Sequence, residues 1–290
     1  MPNVQPSTVL GRQLGDELRR SREAAGLTTA AAAEILDCTK GKISRMENGH
    51  VPVRTPDLVA LMQAYGVSDP ATQERLASLA RRANRRRREG WWHEHAAVLS
   101  DAYRDQIEME SICQSIRTYQ VQLIPGLLQT PEYGRAVTVA SRAWKTAEEI
   151  ERFVQVRLAR QERLTGDDPI DYWAVLGEGA LRQQVGGPDI MSAQLDHLLA
   201  VAERPNVTIQ ILPFSRGTYS GMFGPYLLLS FPQLASLDLV LTETPTGSIW
   251  MEREQEVARY RELFDDARMA ALPPAESLAL IQRIAKEHRR

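Results

Sequence analysis

Lys40, Gly41, Ser44 and Arg45 have the residue types and the spacing to read base edges. Positions three and four apart share one helix face, so a helix over 40–48 presents all four outward together. Arg45 can chelate O6 and N7 of guanine, and Lys40 reaches the same acceptors. Thr29, Thr39, Lys42 and Asn48 surround that face. They are placed for phosphates, which fix orientation but carry no sequence information. Any one of these residues alone reads as ordinary solvated helix surface; the set together reads as a nucleic-acid contact face.

The elements that must position this face are legible around it. Val9, Leu10, Leu14 and Leu18 follow a helical period, and Gly26 stops that helix. Thr28 caps a second helix ending near Leu36, and Thr39 caps a third over 40–48, closed by Gly49. Ile43 and Met46 are spaced to face Leu18, Ala33 and Leu36. The alanine run 30–33 gives the second helix a small face, across which the third can cross closely. Asp37 sits in the turn between them, where an aspartate tolerates a left-handed backbone. Thr55-Pro56-Asp57 and Asp69-Pro70 are start signals for two more helices, with a cap and then proline in the first turn. Two short helices joined by a tight turn make a helix-turn-helix, whose second helix enters the major groove.

Net charge is −2, which by itself argues against a nucleic-acid partner, but the distribution reverses that reading. Residues 1–90 hold 15 Lys/Arg against 10 Asp/Glu, leaving 20 basic and 27 acidic residues in the remainder. A basic segment that meets phosphates and an acidic one with another task follow from this asymmetry. Two cysteines, Cys38 and Cys113, are too few for a disulfide framework or a cysteine-based zinc module. The first ten residues lack the basic-then-apolar pattern of a secretory signal, and no apolar stretch approaches a membrane span. The expected location is the cytoplasm, associated with the nucleoid.

The run Arg81-Arg82-Ala83-Asn84-Arg85-Arg86-Arg87-Arg88 leads into Gly90-Trp91-Trp92. It has three readings: an arm on the DNA backbone or minor groove, a partner for acidic faces of the second domain, or a solvated helix end. The expected organisation is a helix-turn-helix domain over 1–80, a basic and aromatic linker over 81–104, and an effector or partner-binding domain over 105–290. Strands are expected at 115–124, 207–213, 226–231, 237–243 and 247–251. Helices are expected at 131–141, 147–164, 188–203, 254–271 and 274–288. The fold class is therefore multidomain: an all-α domain, then an α+β domain with a C-terminal helix.

In the second domain Glu178, Arg182, Tyr226, Glu243 and Trp250 lie near strand ends and can line a ligand pocket. Each alone reads as a surface or core-edge residue. His93 and His95 are close in sequence but have no third ligand at a usual metal spacing. Gly177-Glu178-Gly179 lacks the lysine and serine of a phosphate loop. No metal, cofactor or catalytic activity is expected.

The stretches Leu18-Arg19-Arg20-Ser21-Arg22-Glu23-Ala24-Ala25-Gly26-Leu27-Thr28 and Lys42-Ile43-Ser44-Arg45-Met46-Glu47-Asn48-Gly49 resemble the Xre/phage-repressor family of helix-turn-helix domains. The resemblance implies an ion pair between Arg22 and Glu47 that joins the first helix to the third. Two positions depart from the family pattern: Thr29 stands where glutamine is usual, and Asp37 where glycine is usual. After residue 100, Val121-Gln122-Leu123-Ile124-Pro125-Gly126-Leu127-Leu128-Gln129-Thr130-Pro131-Glu132-Tyr133 and Ala258-Arg259-Tyr260-Arg261-Glu262-Leu263-Phe264 resemble the C-terminal domain of actinobacterial WhiJ-like regulators. That resemblance implies a regulator whose gene often neighbours one for a small partner protein, with a small-molecule effector as a further expectation. The expected protein is a homodimeric transcriptional regulator on double-stranded DNA. Its rivals are an antitoxin-like partner-binding protein and an enzyme fused to a DNA-binding module.

Overall fold

The computed structural model describes residues 8–86, 90–219, 221–234, 237–244 and 247–289, without the side chains of 85, 86, 93 and 233. The chain divides into two compact units, Met1–His93 with Pro232–Ser236, and Glu94–Phe231 with Leu237–Arg290.

The first unit is helical throughout: α1 (Val9–Ala24), α2 (Thr29–Ile35), α3 (Lys40–Glu47), α4 (Thr55–Ala64) and α5 (Pro70–Arg86). Thr8, Thr28 and Thr39 cap the first three, each accepting a backbone N–H three residues on, at 3.1, 3.2 and 3.2 Å. Asp69 caps α5 through Thr72 N–H at 2.8 Å. At α4 the cap is Arg54 rather than Thr55, which becomes the first helical residue, with proline following in the first turn. The core is Leu10, Leu14, Leu18, Ala33, Ile43, Met46, Leu58, Leu61, Leu76 and Leu79, all buried. Helix α5 packs on α1, tied by Arg75 to Glu17 at 2.7 Å.

Helix α5 also corrects the expected linker at 81–104. Leu76, Leu79, Ala80 and Ala83 are buried at helical spacing, so packing carries the helix through the first half of the arginine run. The run's remaining side chains, from Arg85 to Arg88, lie outside the described residues. Trp91–Val98 then forms a 3-10 helix, and α6 (Asp101–Glu110) starts on a Ser100 cap.

The second unit is a mixed six-stranded sheet with helices on both faces. Its elements are β1 (Ser115–Gln120), α7 (Pro131–Ser141), α8 (Ala147–Arg160), α9 (Glu162–Thr165), β2 (Asp171–Gly177), α10 (Glu178–Arg182), α11 (Pro188–Val201), β3 (Val207–Leu212), β4 (Tyr226–Phe231), β5 (Leu237–Thr244), β6 (Gly247–Met251), α12 (Glu254–Ala270) and α13 (Pro274–His288). The strand order is β3-β2-β1-β4-β5-β6, with β1, β2 and β3 parallel and the rest antiparallel. Strand β2 was not among the expected strands. It lies at the interior of the sheet, covered on both faces, so its sequence Asp-Tyr-Trp-Ala-Val-Leu-Gly shows no alternation to mark it. Strand β1 stops at Gln120, four residues before its expected end, because the chain turns there toward a short 3-10 helix, Gly126–Leu128.

One sheet face carries Tyr119, Val175, Tyr226, Leu228 and Val240, which pack with Val257, Leu263 and Phe264 of α12. The opposite face carries Gln120, Tyr172, Leu227 and Glu243, beneath α6 and α8. At the outer edge, Ser277 of α13 accepts the free N–H of Ile211 at 2.9 Å, and Leu272 N–H bonds the Ile211 carbonyl at 2.9 Å. The edge of β3 is thereby closed to pairing with another chain.

In the first unit α1 approaches α3 without room for a side chain. A Cβ on Gly15 would lie 2.3 Å from the Glu47 carbonyl oxygen, and one on Gly49 would lie 2.5 Å from Arg12 N. Gly15→Ala must push α1 off the end of α3, at a cost of about 2–3 kcal/mol. Hydrogen exchange of α1 and α3 amides should report that loss of protection; protection within about 0.5 kcal/mol of the parent would mean the crossing is not as tight as described.

Candidate functional site

The turn between α2 and α3 places the reading face. Asp37 adopts a left-handed backbone, φ 45°, so that the chain can reverse within three residues of Ile35. Helix α3 then buries Ile43, Met46 and Glu47 and exposes Lys40, Gly41, Ser44 and Arg45. The four residues expected to face the bases do share one exposed surface. Among the described residues, no side-chain hydrogen bond or ion pair engages the Lys40 ammonium or the Arg45 guanidinium. A Cβ added to Gly41 would meet nothing closer than 3.9 Å, so the space over its backbone is open.

The flanking residues divide. Thr39 is exposed, and its hydroxyl still has a proton to donate after accepting Lys42 N–H. Thr29 is half-buried at the start of α2. Lys42, expected on a phosphate, bonds Asp57 at 3.2 Å, so part of its charge serves to join α3 to α4. Asn48, also expected on a phosphate, closes α3 instead. Its Nδ2 donates to the Ser44 carbonyl at 2.7 Å, and its Oδ1 accepts from Arg19 at 2.9 Å.

Beneath this face lies a buried ion pair. Arg22 Nε donates to Glu47 Oε1 at 2.6 Å and Nη2 to Oε2 at 3.1 Å, in the two-pronged geometry that guanidinium and carboxylate favour. Both residues are less than a tenth exposed. Arg22 Nη1 donates to the Leu27 carbonyl at 2.8 Å, beyond the end of α1. Arg19 donates to the Glu47 carbonyl at 3.1 Å. The hydrogen bond with Glu47 holds the Arg22 pKa above its ordinary value, against the opposing pull of burial. Arg19, part of the family stretch, and Asp57, part of a helix start, act here as partners of Glu47 and Lys42, a role that only the tertiary structure reveals.

A family model described as Domain of unknown function (DUF5753) matches residues 103–283, well over half of the chain. The chain belongs to the DUF5753 family. A second model, described as Helix-turn-helix domain, matches residues 13–76. Those residues run from within α1 to within α5 and include α2, the turn at Asp37 and α3. The chain is accordingly a DNA-binding regulator in its N-terminal part. Searches of curated proteins and of solved structures each found no match. No helix among the described residues is long and apolar enough to cross a membrane.

In the DUF5753 region the five residues expected to share a pocket do not converge. Glu178 and Arg182 bond each other at 2.6 Å on α10. Burial opposes the charge on Glu178, but hydrogen bonds from Phe214 N–H and Arg182 hold its pKa below the usual range. Tyr226 is buried against Tyr119 and Tyr260 on the α12 face, whereas Glu243 and Trp250 belong to the opposite face. Glu243 alone lines a described cavity, of about 100 Å³, over which the segment from Leu123 to Gln129 passes. The floor of that cavity holds a second buried ion pair, Arg160 to Glu110, at 2.7 and 2.5 Å. Arg160 also bonds the Tyr103 hydroxyl and stacks on its ring. Among the described residues no three His, Cys, Asp or Glu side chains form a group that could hold a metal ion.

Removing one partner of the Arg22–Glu47 pair strands the other in a buried site. Arg22→Met or Glu47→Met should each cost about 3–5 kcal/mol, and the double variant less than the sum. Chemical denaturation of the four proteins checks this; additive effects would mean the pair is not coupled. The same site sets an alkaline limit. Burial, and then Glu47, push the Tyr65 pKa to about 12. An unfolded tyrosine ionises near pH 10, so this contribution is intact below pH 10 and lost as pH rises to about 12. Tyr65→Phe should flatten the fall in stability over that window; an unchanged slope would assign the fall to other groups.

Proposed function

We propose that the protein is a sequence-specific transcriptional regulator of the Xre type that binds DNA as a homodimer. In this reading its WhiJ-like second unit senses a small molecule or a small protein and alters the affinity of the first unit for DNA. The observation that carries the reading is the contrast around α3: among the described residues Lys40 and Arg45 are exposed cations without a protein partner, whereas Arg19 and Arg22 of α1 and Lys42 of α3 are engaged in holding the helix in place. Two-fold symmetry would set two such helices on half-sites about 34 Å apart. A signal from the second unit acts only through different affinities for the competent and incompetent states.

We read the second unit as a binding module and not an enzyme. Of its buried carboxylates, Glu110 and Glu178 are each paired with an arginine, as structural ion pairs are. A partner-binding variant of the reading is favoured by exposed apolar side chains between β3 and β4. Phe214 is 67% exposed, Met222 56% and Phe223 89%, a concentration suited to a protein partner.

Two substitutions on the reading face test this. Arg45→Ala should relax preference at one base pair, losing about 1–3 kcal/mol of discrimination there. Gly41→Ala should stabilise α3 by up to about 1 kcal/mol, since it adds a methyl in open space to a helical glycine. The same methyl should weaken specific DNA binding by standing between the backbone and the bases. Specificity profiles of both variants, with thermal unfolding of the second, decide the matter. An unchanged base preference in Arg45→Ala would refute the assignment of the face.

A further inference from the structure

We infer that the cavity beneath the Leu123-to-Gln129 segment is a binding site for a free amino acid or an amino-carboxylic compound of that size. The inference deepens the sensing half of the proposed function and rests on it only for the consequence at DNA. The site lies on the sheet face covered by α6 and α8, at the carboxyl ends of β1 and β5. In open sheets such strand ends are where ligands settle. Gln106, Ile124, Leu127 and Gln129 form buried walls, while Leu123 and Glu243 are exposed at its margin. The cavity is therefore built into the core and reachable from solvent.

Two lining residues carry buried polar atoms without a hydrogen-bond partner among the described residues, Arg157 Nε and Gln106 Oε1. Their orientations are fixed by their other bonds. Arg157 Nη1 donates to Gln129 Oε1 at 2.6 Å, and its guanidinium lies over the Phe153 ring at 5.4 Å. Gln106 Nε2 donates to Glu110 Oε1 at 3.0 Å. Turning that amide over would set oxygen against carboxylate, so its oxygen is the free end. Glu110 itself is neutralised by Arg160. The buried lining thus offers one unpartnered cationic donor, Arg157 Nε, and one unpartnered neutral acceptor, Gln106 Oε1, beside Gln120 and Tyr172, with the Glu243 carboxylate at the margin. A ligand that answers all three has a carboxylate for Arg157 and an ammonium or amino group for Gln106 and Glu243. Leu127 and Leu227 supply an apolar wall for a short side chain. A volume of about 100 Å³ holds several waters or one molecule of this size, and excludes larger ligands such as nucleotides.

The test is isothermal titration of the full-length protein, without DNA, with each standard L-amino acid at up to millimolar concentration. At least one should give a saturable single-site isotherm and raise the unfolding temperature in step with its concentration. Glu243→Gln, at an exposed position that leaves the fold intact, should weaken that binding by about tenfold. Arg157→Lys, which keeps the charge but loses Nε, should do the same. No saturable binding by any of the acids would overturn the proposal and leave the cavity a water site. Binding indifferent to both substitutions would overturn it as well, by moving the site elsewhere. Because DNA is absent, failure here leaves the DNA-reading assignment standing, and failure of that assignment leaves this site standing.

Discussion

The N-terminal unit depends on one buried contact, the pairing of Arg22 with Glu47. Helix α3 has only eight residues and is too short to be stable by itself. Its buried side exposes little apolar area to the core beyond Ile43 and Met46. The ion pair adds a directional constraint that apolar packing cannot. Two parallel hydrogen bonds fix the rotation of α3 about its axis relative to α1, and that rotation decides which side chains face outward. Gly15 and Gly49 let the helices come close enough for the bonds to form. Arg19 and Asn48 then close the carboxyl end, and Lys42 with Asp57 ties the other side to α4. Positive side chains on and around α3 thus divide: Arg19, Arg22 and Lys42 hold the helix, and Lys40 and Arg45 are left exposed.

The second unit repeats the device with different parts. Arg160 and Glu110 are buried as a two-pronged pair between α8 and α6, with Tyr103 and Gln106 completing the bonding. Arg163 adds bonds to the carbonyls of Glu110, Cys113 and Asp168, which gather the end of α6 and the approaches to β1 and β2. Such pairs seldom add net stability over an apolar replacement, because desolvation offsets attraction. Their contribution is to specify geometry. In each unit the pair stands directly under the surface to which a function has been assigned.

Much of this was legible in the sequence, for physical reasons that differ by element. The first three helices showed because threonine caps, glycine stops and an apolar period coincide there. The bonding of Arg22 to Glu47 followed from a family resemblance and not from spacing, since the two are 25 positions apart. Asp37 was legible as a turn residue because few side chains tolerate its backbone. Strand β2 was hidden by its own burial, and the end of α5 by arginines that read as a linker although alanines between them were packed. Glu178, Arg182, Tyr226, Glu243 and Trp250 all lie near strand ends, but nearness to a strand end does not determine the face a side chain takes. Alternation along β4 and β5 puts Tyr226 and Glu243 on opposite sides of the sheet, which pairing register alone reveals. Conversely, Gln106, Gln120 and Arg157 come together only through tertiary structure.

The claim at the centre is that the exposed face of α3 reads sequence. Selection from a random duplex pool by the purified full-length protein, at physiological salt, tests it most directly. The account predicts enrichment of an inverted repeat whose half-sites lie about one helical turn apart, with guanine at the position that Arg45 contacts. Folded protein that enriches no sequence, or a repeat that survives unchanged when Arg45 is replaced by alanine, would contradict it.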